Sequence, residues 1–320
     1  MPERTGIELS VVVPFLNEGM VLLDFCERLR NHLDSLDSRY EVILVNDGST
    51  DDSLTILRDL RWKECTVVTL ARNSGHQAAL EAGIEQTSGD WVVTLDADLQ
   101  HPPELIGTML RSARSGSVDV VYAQRTSHGA PTYASRITSS LYYFLMRVLV
   151  GVDILPSTAD FRLMSARVVS AAGSLPGDKI YRMLLPKLGY SFEVIPYEPG
   201  QRFAGTSKYS VRQKVDLAIK STLNFSARPL YLISALGFVV AIVAITWFIF
   251  VIASYIAGNV ISGWASLASI VLLLGSAILL SIGVVAAYVA KIFELSQAHP
   301  RFVITDRHHL GGKDEGDGRA

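Results

Sequence analysis

Short apolar runs rich in β-branched residues recur along the first part of the chain, at Leu9–Val13, Val42–Val45, Thr66–Leu70, Trp91–Leu95 and Val118–Tyr122. Between them lie segments of helical length, Met20–Leu36, Ser53–Trp62, Gln77–Gln86 and Glu104–Arg114. Continuous apolar strands alternating with helices predict a mostly parallel sheet with helices on both faces. In such sheets ligands bind beyond the carboxyl ends of the strands. Those ends are polar here: Pro14-Phe15-Leu16-Asn17-Glu18, Asn46-Asp47-Gly48-Ser49-Thr50-Asp51, Arg72-Asn73-Ser74-Gly75 and Asp96-Ala97-Asp98-Leu99-Gln100. One such cluster reads as a turn with a helix cap, for which Asp51 and Ser74 are well suited. Four along one edge point to a site.

The pattern then changes. From Pro229 to Ala290 there is no Asp, Glu, Lys, Arg or His. A helix needs about 20 apolar residues to cross the roughly 30 Å of bilayer hydrocarbon, so this stretch predicts two transmembrane helices, near Pro229–Ala257 and Trp264–Ala290. The turn-rich Gly258–Gly263 connects them, and Trp264 suits a membrane interface. Helices buried in a soluble core seldom lack charge on every face. Arg202, Lys208, Arg212, Lys214, Lys220 and Arg228 precede the first span, Lys291, Arg301 and Arg307 follow the second, and the connecting loop is uncharged. Both termini are therefore expected in the cytoplasm, in a multi-pass protein of the cell (inner or plasma) membrane. Met-Pro-Glu-Arg runs straight into a strand with no basic-then-apolar leader, which agrees with a cytoplasmic catalytic part.

Composition sharpens this division. The chain has 320 residues, 49% of them hydrophobic, and a net charge of −2, which gives no reason to expect a nucleic-acid partner. The predicted organisation is a catalytic α/β domain over 1–200, a basic juxtamembrane segment over 201–228, two membrane helices over 229–290 and a cytoplasmic tail over 291–320. The basic segment holds a single acid, Asp216, and suits anionic headgroups or a lipid phosphate. Its apolar positions Val211, Val215, Ala218, Ile219 and Thr222 recur at helical spacing, as expected for a helix lying at the interface. Leu141–Met146, bracketed by Arg136 and Arg147, fits a second such helix or ordinary core packing. Cys26 and Cys65 lie outside any paired metal spacing and are expected to be packing residues.

The strand ends also carry the chemistry. Neither the glycine fingerprint of a dinucleotide fold nor a P-loop is present, and Gly205-Thr206-Ser207-Lys208 has P-loop letters in the wrong order. Phosphates must then be neutralised by something other than a glycine cradle. Asp96 and Asp98, one residue apart just past a strand, bring two carboxylates to one small volume. Mg2+ or Mn2+ takes oxygen ligands, typically one or two carboxylates completed by substrate phosphates, and Gln100 is a further candidate ligand. His101 is expected to shape the turn before Pro102-Pro103.

Taken in order, six motifs resemble the family 2, GT-A type inverting glycosyltransferases: Val13–Glu18, Val45–Asp51, Arg72–Gly75, Asp96–Glu104, Asp160-Phe161-Arg162-Leu163-Met164 and Arg202–Tyr209. The resemblance spans nearly the whole chain. Within that group it is strongest to the polyprenyl-phosphate glycosyltransferases related to dolichol-phosphate mannose synthase and the bacterial GtrB enzymes. It implies a GT-A, Rossmann-like catalytic domain in which Pro14, Asn17, Glu18 and Asp47 line the nucleoside pocket, with Asp47 accepting hydrogen bonds from the base. Asp96 and Asp98 would hold the metal and diphosphate, and Arg202, Ser207 and Lys208 would reach phosphate groups. Asn46 stands where many relatives carry Asp, and ranks below Asp47 for that reason.

The implied reaction is inverting transfer of a hexose, glucose from UDP-glucose first, to polyprenyl phosphate for cell-envelope glycosylation. Asp160 is the remaining candidate catalytic carboxylate, as a sugar-orienting group, a charge stabiliser or a base, with structural pairing to Arg162 as the alternative. The implied partners are a nucleotide-sugar donor, polyprenyl phosphate and membrane lipids, with a homo-oligomer allowed. Three alternatives remain. GDP-mannose is one other donor. A processive polysaccharide synthase would carry a Gln-x-x-Arg-Trp motif, which the chain lacks. A non-catalytic scaffold or flippase partner would not require the carboxylate pair.

Overall fold

A computed structural model of the chain describes residues 6–116, 118–126, 158–175, 177, 179–198, 228–257, 263–296 and 300–311. They form two compact units, an α/β unit and a unit containing two long helices. The α/β unit is built on an 8-stranded sheet of order β7-β5-β6-β4-β1-β2-β3-β8. Its strands are β1 (Leu9–Phe15), β2 (Tyr40–Asn46), β3 (Cys65–Leu70), β4 (Trp91–Thr94), β5 (Val120–Arg125), β6 (Thr158–Ser165), β7 (Phe192–Tyr197) and β8 (Ile304–His309).

β1 pairs in parallel with both β2 and β4. The chain therefore moves outward from β1 through β2 and β3, then returns to β4 on the other side, which makes the β1/β4 gap the switch point where α/β folds bind ligands. Every residue of β1 is buried, as its unbroken apolar run requires when helices cover both faces. Pro14 is tolerated within it for a local reason. The Val12 carbonyl accepts from Leu95 N–H on the β4 side, and two residues later Pro14 lacks its N–H where β4 has already ended at Thr94.

The helices of this unit are α1 (Leu22–Asp34), α2 (Ser53–Asp59), α3 (His76–Ile84), α4 (Leu105–Arg114), α5 (Ala166–Gly173) and α6 (Tyr181–Leu188). α1 buries Leu22, Phe25, Cys26, Leu29 and Leu33, one apolar stripe at helical spacing. Cys26 and Cys65 are free and fully buried, so both act as packing residues, and burial pushes the Cys26 thiol up to about 12. α3 lies close on the sheet: a Cβ at Gly83 would stand 2.4 Å from Val12 Cγ1 and 2.8 Å from Val45 Cγ2, which requires glycine there.

The predicted strands and helices up to residue 125 are all present, with ends shifted by a few residues. The sheet is larger than the alternation suggested. β6 inserts antiparallel between β4 and β5, β7 adds in parallel to β5, and β8 adds antiparallel to β3. The segment read from the sequence as a tail thus supplies an edge strand. Its exposed Thr305, Asp306 and Arg307 suit an edge that must not recruit another sheet. Arg301, just before β8, bonds the buried Glu81 of α3, which also accepts from Lys179 Nζ at 2.8 Å.

The second unit contains α7 (Arg228–Ile256, 29 residues) and α8 (Trp264–Ser296, 33 residues). They coincide with the two predicted spans, α8 continuing past Ala290 through Lys291 and Glu294. Among the described residues no helix is long and apolar enough to cross a membrane. The predicted interfacial segments at 141–146 and 201–227, and with them Arg202, Ser207 and Lys208, lie outside the described residues.

Candidate active site

Four polar strand ends meet at the carboxyl edge of β1–β4, and local hydrogen bonds fix each in turn. After β1, Asn17 takes a left-handed backbone (φ 56°), a conformation Asn tolerates. Its side-chain oxygen accepts from Thr50 N–H at 2.8 Å, and its own N–H donates to Ser49 Oγ at 3.0 Å. Glu18 N–H donates to Ser53 Oγ at 3.2 Å. Gly19 N–H reaches Asp51 Oδ2 at 3.0 Å, and Asp51 Oδ1 also accepts from Ser53. Asn17 and Glu18 therefore stitch the β1 loop to the β2 loop.

Asp47 is buried, and both of its oxygens are committed: Oδ1 accepts from Ser74 N–H at 2.7 Å and Oδ2 from Gly75 N–H at 3.0 Å. Burial pushes its pKa above the usual aspartate value, against the lowering effect of those two bonds. Gly48 lets the two loops approach, since a Cβ there would stand 2.7 Å from Asn73 N, and its φ of +74° disfavours any side chain. Asp47 thus fixes the turn that launches α3. Asn46 Oδ1 accepts from Ser49 N–H at 2.8 Å, which gives the uncharged residue a turn-forming role of its own.

The Asp96–Asp98 turn is built differently. Asp98 Oδ1 accepts from Gln100 N–H at 3.0 Å, an Asx turn, and Leu99 between them has φ 60°. A bulky residue held left-handed costs about 1–3 kcal/mol and persists where the surroundings enforce it; here Leu99 is anchored in the core below. His101, fully buried, accepts from Asp96 N–H through Nδ1 at 3.0 Å. Burial and the Arg125 charge hold its pKa down near 3, so the ring is neutral. It shapes the turn, as expected from the sequence. Gln100 is buried and supplies its backbone N–H to Asp98.

Asp96 itself is left wanting. Its Oδ1 is buried and, among the described residues, accepts no hydrogen bond, facing His76 Nε2 at 3.5 Å. Burial raises its pKa to about 6, with the charges of Asp160 and Asp98 adding to the rise and His76 opposing it. A third carboxylate, Asp160 on β6, is held from three directions. Arg162, fully buried on the same strand, bonds Oδ1, while His76 Nε2 and Gln77 Nε2 each lie 3.1 Å from Oδ2. Burial would raise the Asp160 pKa, but Arg162 and His76 outweigh it and hold the carboxyl well below the usual range. Burial likewise opposes the His76 imidazolium, but the bond to Asp160 and the nearby carboxylates raise its pKa above the usual value.

The structure therefore brings Asn17, Glu18, Asp47, Asp96, Asp98, Gln100 and Asp160 to one sheet edge, with Pro14 at the end of β1. It adds His76, Gln77 and Arg125, which sequence reasoning did not select, and it pairs Asp160 with Arg162, the structural alternative read from the sequence. Two had a legible signal: His76 and Gln77 directly follow Gly75 at the end of the third polar cluster. Arg125 at the end of β5 donates to the Tyr197 hydroxyl at 3.1 Å, a pairing that depends on β7 joining the sheet and has no local signature.

This sheet order and polar edge are those of a GT-A type domain. Residues 10–172 match the family described as Glycosyl transferase family 2, and the chain belongs to that family; it is a glycosyltransferase. It is 32% identical to "Uncharacterized glycosyltransferase YkcC" of Bacillus subtilis (strain 168), over 96% of each chain. It is 31% identical to "Bactoprenol glucosyl transferase" of Shigella phage SfX, over 94% of this chain and 100% of the relative. Among solved structures, glucosyl-3-phosphoglycerate synthase from Mycobacterium tuberculosis, in complex with Mn2+, UDP and phosphoglyceric acid, shares the fold. The TM-score is 0.51 at 19% identity, over 70% of this chain and 79% of that one.

Proposed function

We propose that the protein transfers glucose from UDP-glucose to polyprenyl phosphate, with inversion, at the cytoplasmic face of the cell membrane. The observation that carries the donor half is Asp96 Oδ1, a buried acceptor without a hydrogen bond among the described residues, beside Asp98 at the β1/β4 switch point. An all-oxygen pair of this kind fits a hard divalent cation. Asp96 and Asp98 would hold Mg2+ or Mn2+, with Gln100 as the third proposed ligand. When bound, the ion would offset charge on the departing nucleoside diphosphate. The fold relative's Mn2+ and UDP support this choice.

The acceptor half rests on the bactoprenol-named relatives, which match this chain over almost its full length. A phosphate monoester has a second pKa near 6 and is mostly dianionic at neutral pH, so it needs no strong base. That agrees with Asp160, whose depressed pKa makes it a weak proton acceptor. Its role in this proposal is to stabilise positive charge developing at the anomeric carbon. Arg202, Ser207 and Lys208 would receive the acceptor phosphate. The uncharged stretch Pro229 to Ala290, which no Asp, Glu, Lys, Arg or His interrupts, would cross the membrane as two spans. Exposed Phe238, Val243 and Ile249 on α7 are side chains that lipid would cover.

The test offers purified protein a panel of radiolabelled nucleotide sugars with polyprenyl phosphate and Mg2+ or Mn2+. Label should enter the organic phase with UDP-glucose, and EDTA should abolish it. Transfer from GDP-mannose alone would change the donor, and no lipid product from any donor would remove the acceptor.

A further inference from the structure

Three carboxylates, Asp96, Asp98 and Asp160, crowd one sheet edge, yet the proposed reaction needs two of them on a metal and one kept for the sugar. A divalent cation readily adds another carboxylate, and its affinity rises with the number of charged ligands. Something must keep Asp160 apart. We propose that His76 is the positioning residue that divides this cluster, holding Asp160 off the metal that Asp96 and Asp98 would bind; this rests on the metal-dependent donor reading above.

The geometry supports this assignment. His76 Nε2 lies 3.1 Å from Asp160 Oδ2 and 3.5 Å from Asp96 Oδ1, so one imidazole nitrogen reaches both carboxylates. Arg162 occupies the other Asp160 oxygen from within the same strand, and Gln77 shares Oδ2. The place of His76 is itself fixed: it is the first residue of α3, directly after Gly75, whose φ of +93° and bond to Asp47 set the entry of the helix. A fixed imidazole of this kind keeps its position while substrates exchange, which makes it a spacer as well as a hydrogen-bond donor.

The consequence runs opposite to that of an ordinary ligand. Removing His76 leaves Asp160 Oδ2 with the neutral Gln77 amide and lets it turn toward the metal, which strengthens metal binding and weakens catalysis. In a Mn2+ titration followed by electron paramagnetic resonance, with UDP or GDP present, His76→Ala should bind Mn2+ about 3- to 10-fold more tightly than wild type. Its kcat should fall about 10- to 100-fold, with the donor KM changed little. His76→Gln, which retains a side-chain N–H, should recover most of both. The double variant His76→Ala/Asp160→Asn should return Mn2+ affinity to the wild-type value, because the gained ligand is Asp160.

Unchanged or weaker Mn2+ binding in His76→Ala, or a raised donor KM at constant kcat, overturns the proposal in favour of a donor contact or a purely structural histidine. Asp160→Asn alone tests it without altering His76: Mn2+ affinity should stay at the wild-type value, and a loss would show that Asp160 is already a ligand. Wild-type protein must bind Mn2+ and lose it with Asp98→Ala. If it binds none, the metal reading falls and the spacer role with it; if it binds and His76→Ala makes no difference, only the spacer role falls.

Discussion

The loops after β2 and β4 flank β1 and look alike as sequence, each an aspartate-bearing turn following a buried parallel strand. Their aspartates have opposite fates. Asp47 spends both oxygens on the N–H groups of Ser74 and Gly75, and Asp51 is occupied by Gly19 and Ser53. Asp96 Oδ1 is buried and, among the described residues, accepts no hydrogen bond, with His76 Nε2 3.5 Å away, and the strained Leu99 holds the turn that presents it. A satisfied carboxylate stabilises the fold, whereas an unsatisfied buried one costs folding energy and is retained for a ligand. The division between scaffold and chemistry at this edge is therefore a division in hydrogen-bond satisfaction.

The sharpest way to break that comparison is to neutralise the unsatisfied side. Asp96→Asn and Asp98→Asn should each lower sugar transfer about 10²-fold or more, the size associated with removing one electrostatic stabiliser from an active site. Stability should move the other way for Asp96. Its folded pKa, about 6, lies above the ordinary value of 3.8, so the fold favours the protonated form. Stability from this group is full below pH 3.8 and declines as pH rises through about 6. At pH 7.5, Asp96→Asn should therefore be as stable as wild type or more stable, by about 1–2 kcal/mol. Thermal melts at pH 5 and 7.5 check this; a marked loss of stability at pH 7.5 would place Asp96 with the scaffold.

Asp47 should behave in the reverse sense. Asp47→Ala leaves two backbone donors without their acceptor in a buried turn, a loss of about 2–4 kcal/mol. The urea midpoint should drop, and Asp47→Asn, which retains one side-chain oxygen, should fall between. Because the same turn places His76, kcat should fall even at temperatures where Asp47→Ala is folded. A stable Asp47→Ala with only a raised donor KM would instead favour the nucleoside-contact role that the family resemblance suggests.

Much of this arrangement was legible before any coordinates. β-branched runs alternating with helical segments are a strong signal when strands are buried on both faces, so β1 to β5 and the polar edge followed from the pattern. β6 did not: Thr158 to Leu163 alternates polar and apolar residues, but Asp160 and Arg162 on its polar side read as an exposed face, whereas Arg162 is buried. β8 escaped for a related reason: Ile304-Thr305-Asp306-Arg307-His308-His309 is a polar edge strand recruited by β3 from far along the chain. At the site, aspartates were visible as residue types, but which oxygens were already occupied depends on loops brought together by the sheet. Asp47 and Asp96 cannot be told apart until Ser74, Gly75 and His76 are placed beside them.

The smallest expected effect separates the two satisfied aspartates from each other. Asp51 is exposed, and its role is to hold the loop before α2 through Gly19, Ser53 N–H and the Ser53 hydroxyl. Burial raises its pKa, but the bonds from Ser53, Gly19 and its own backbone together outweigh this, and the folded value lies below 3.8. The stabilisation is therefore present above pH 3.8 and is lost as pH falls through the lower folded value. Asp51→Ala should cost about 1 kcal/mol at pH 7, the scale of a lost hydrogen bond in a turn, with transfer activity nearly intact. Urea midpoints at pH 7 and pH 3 should show the gap between variant and wild type narrowing with acid. A gap of equal size at both values would mean that Asp51 contributes through its shape and not its charge, and the contrast with Asp96 would then rest on burial alone.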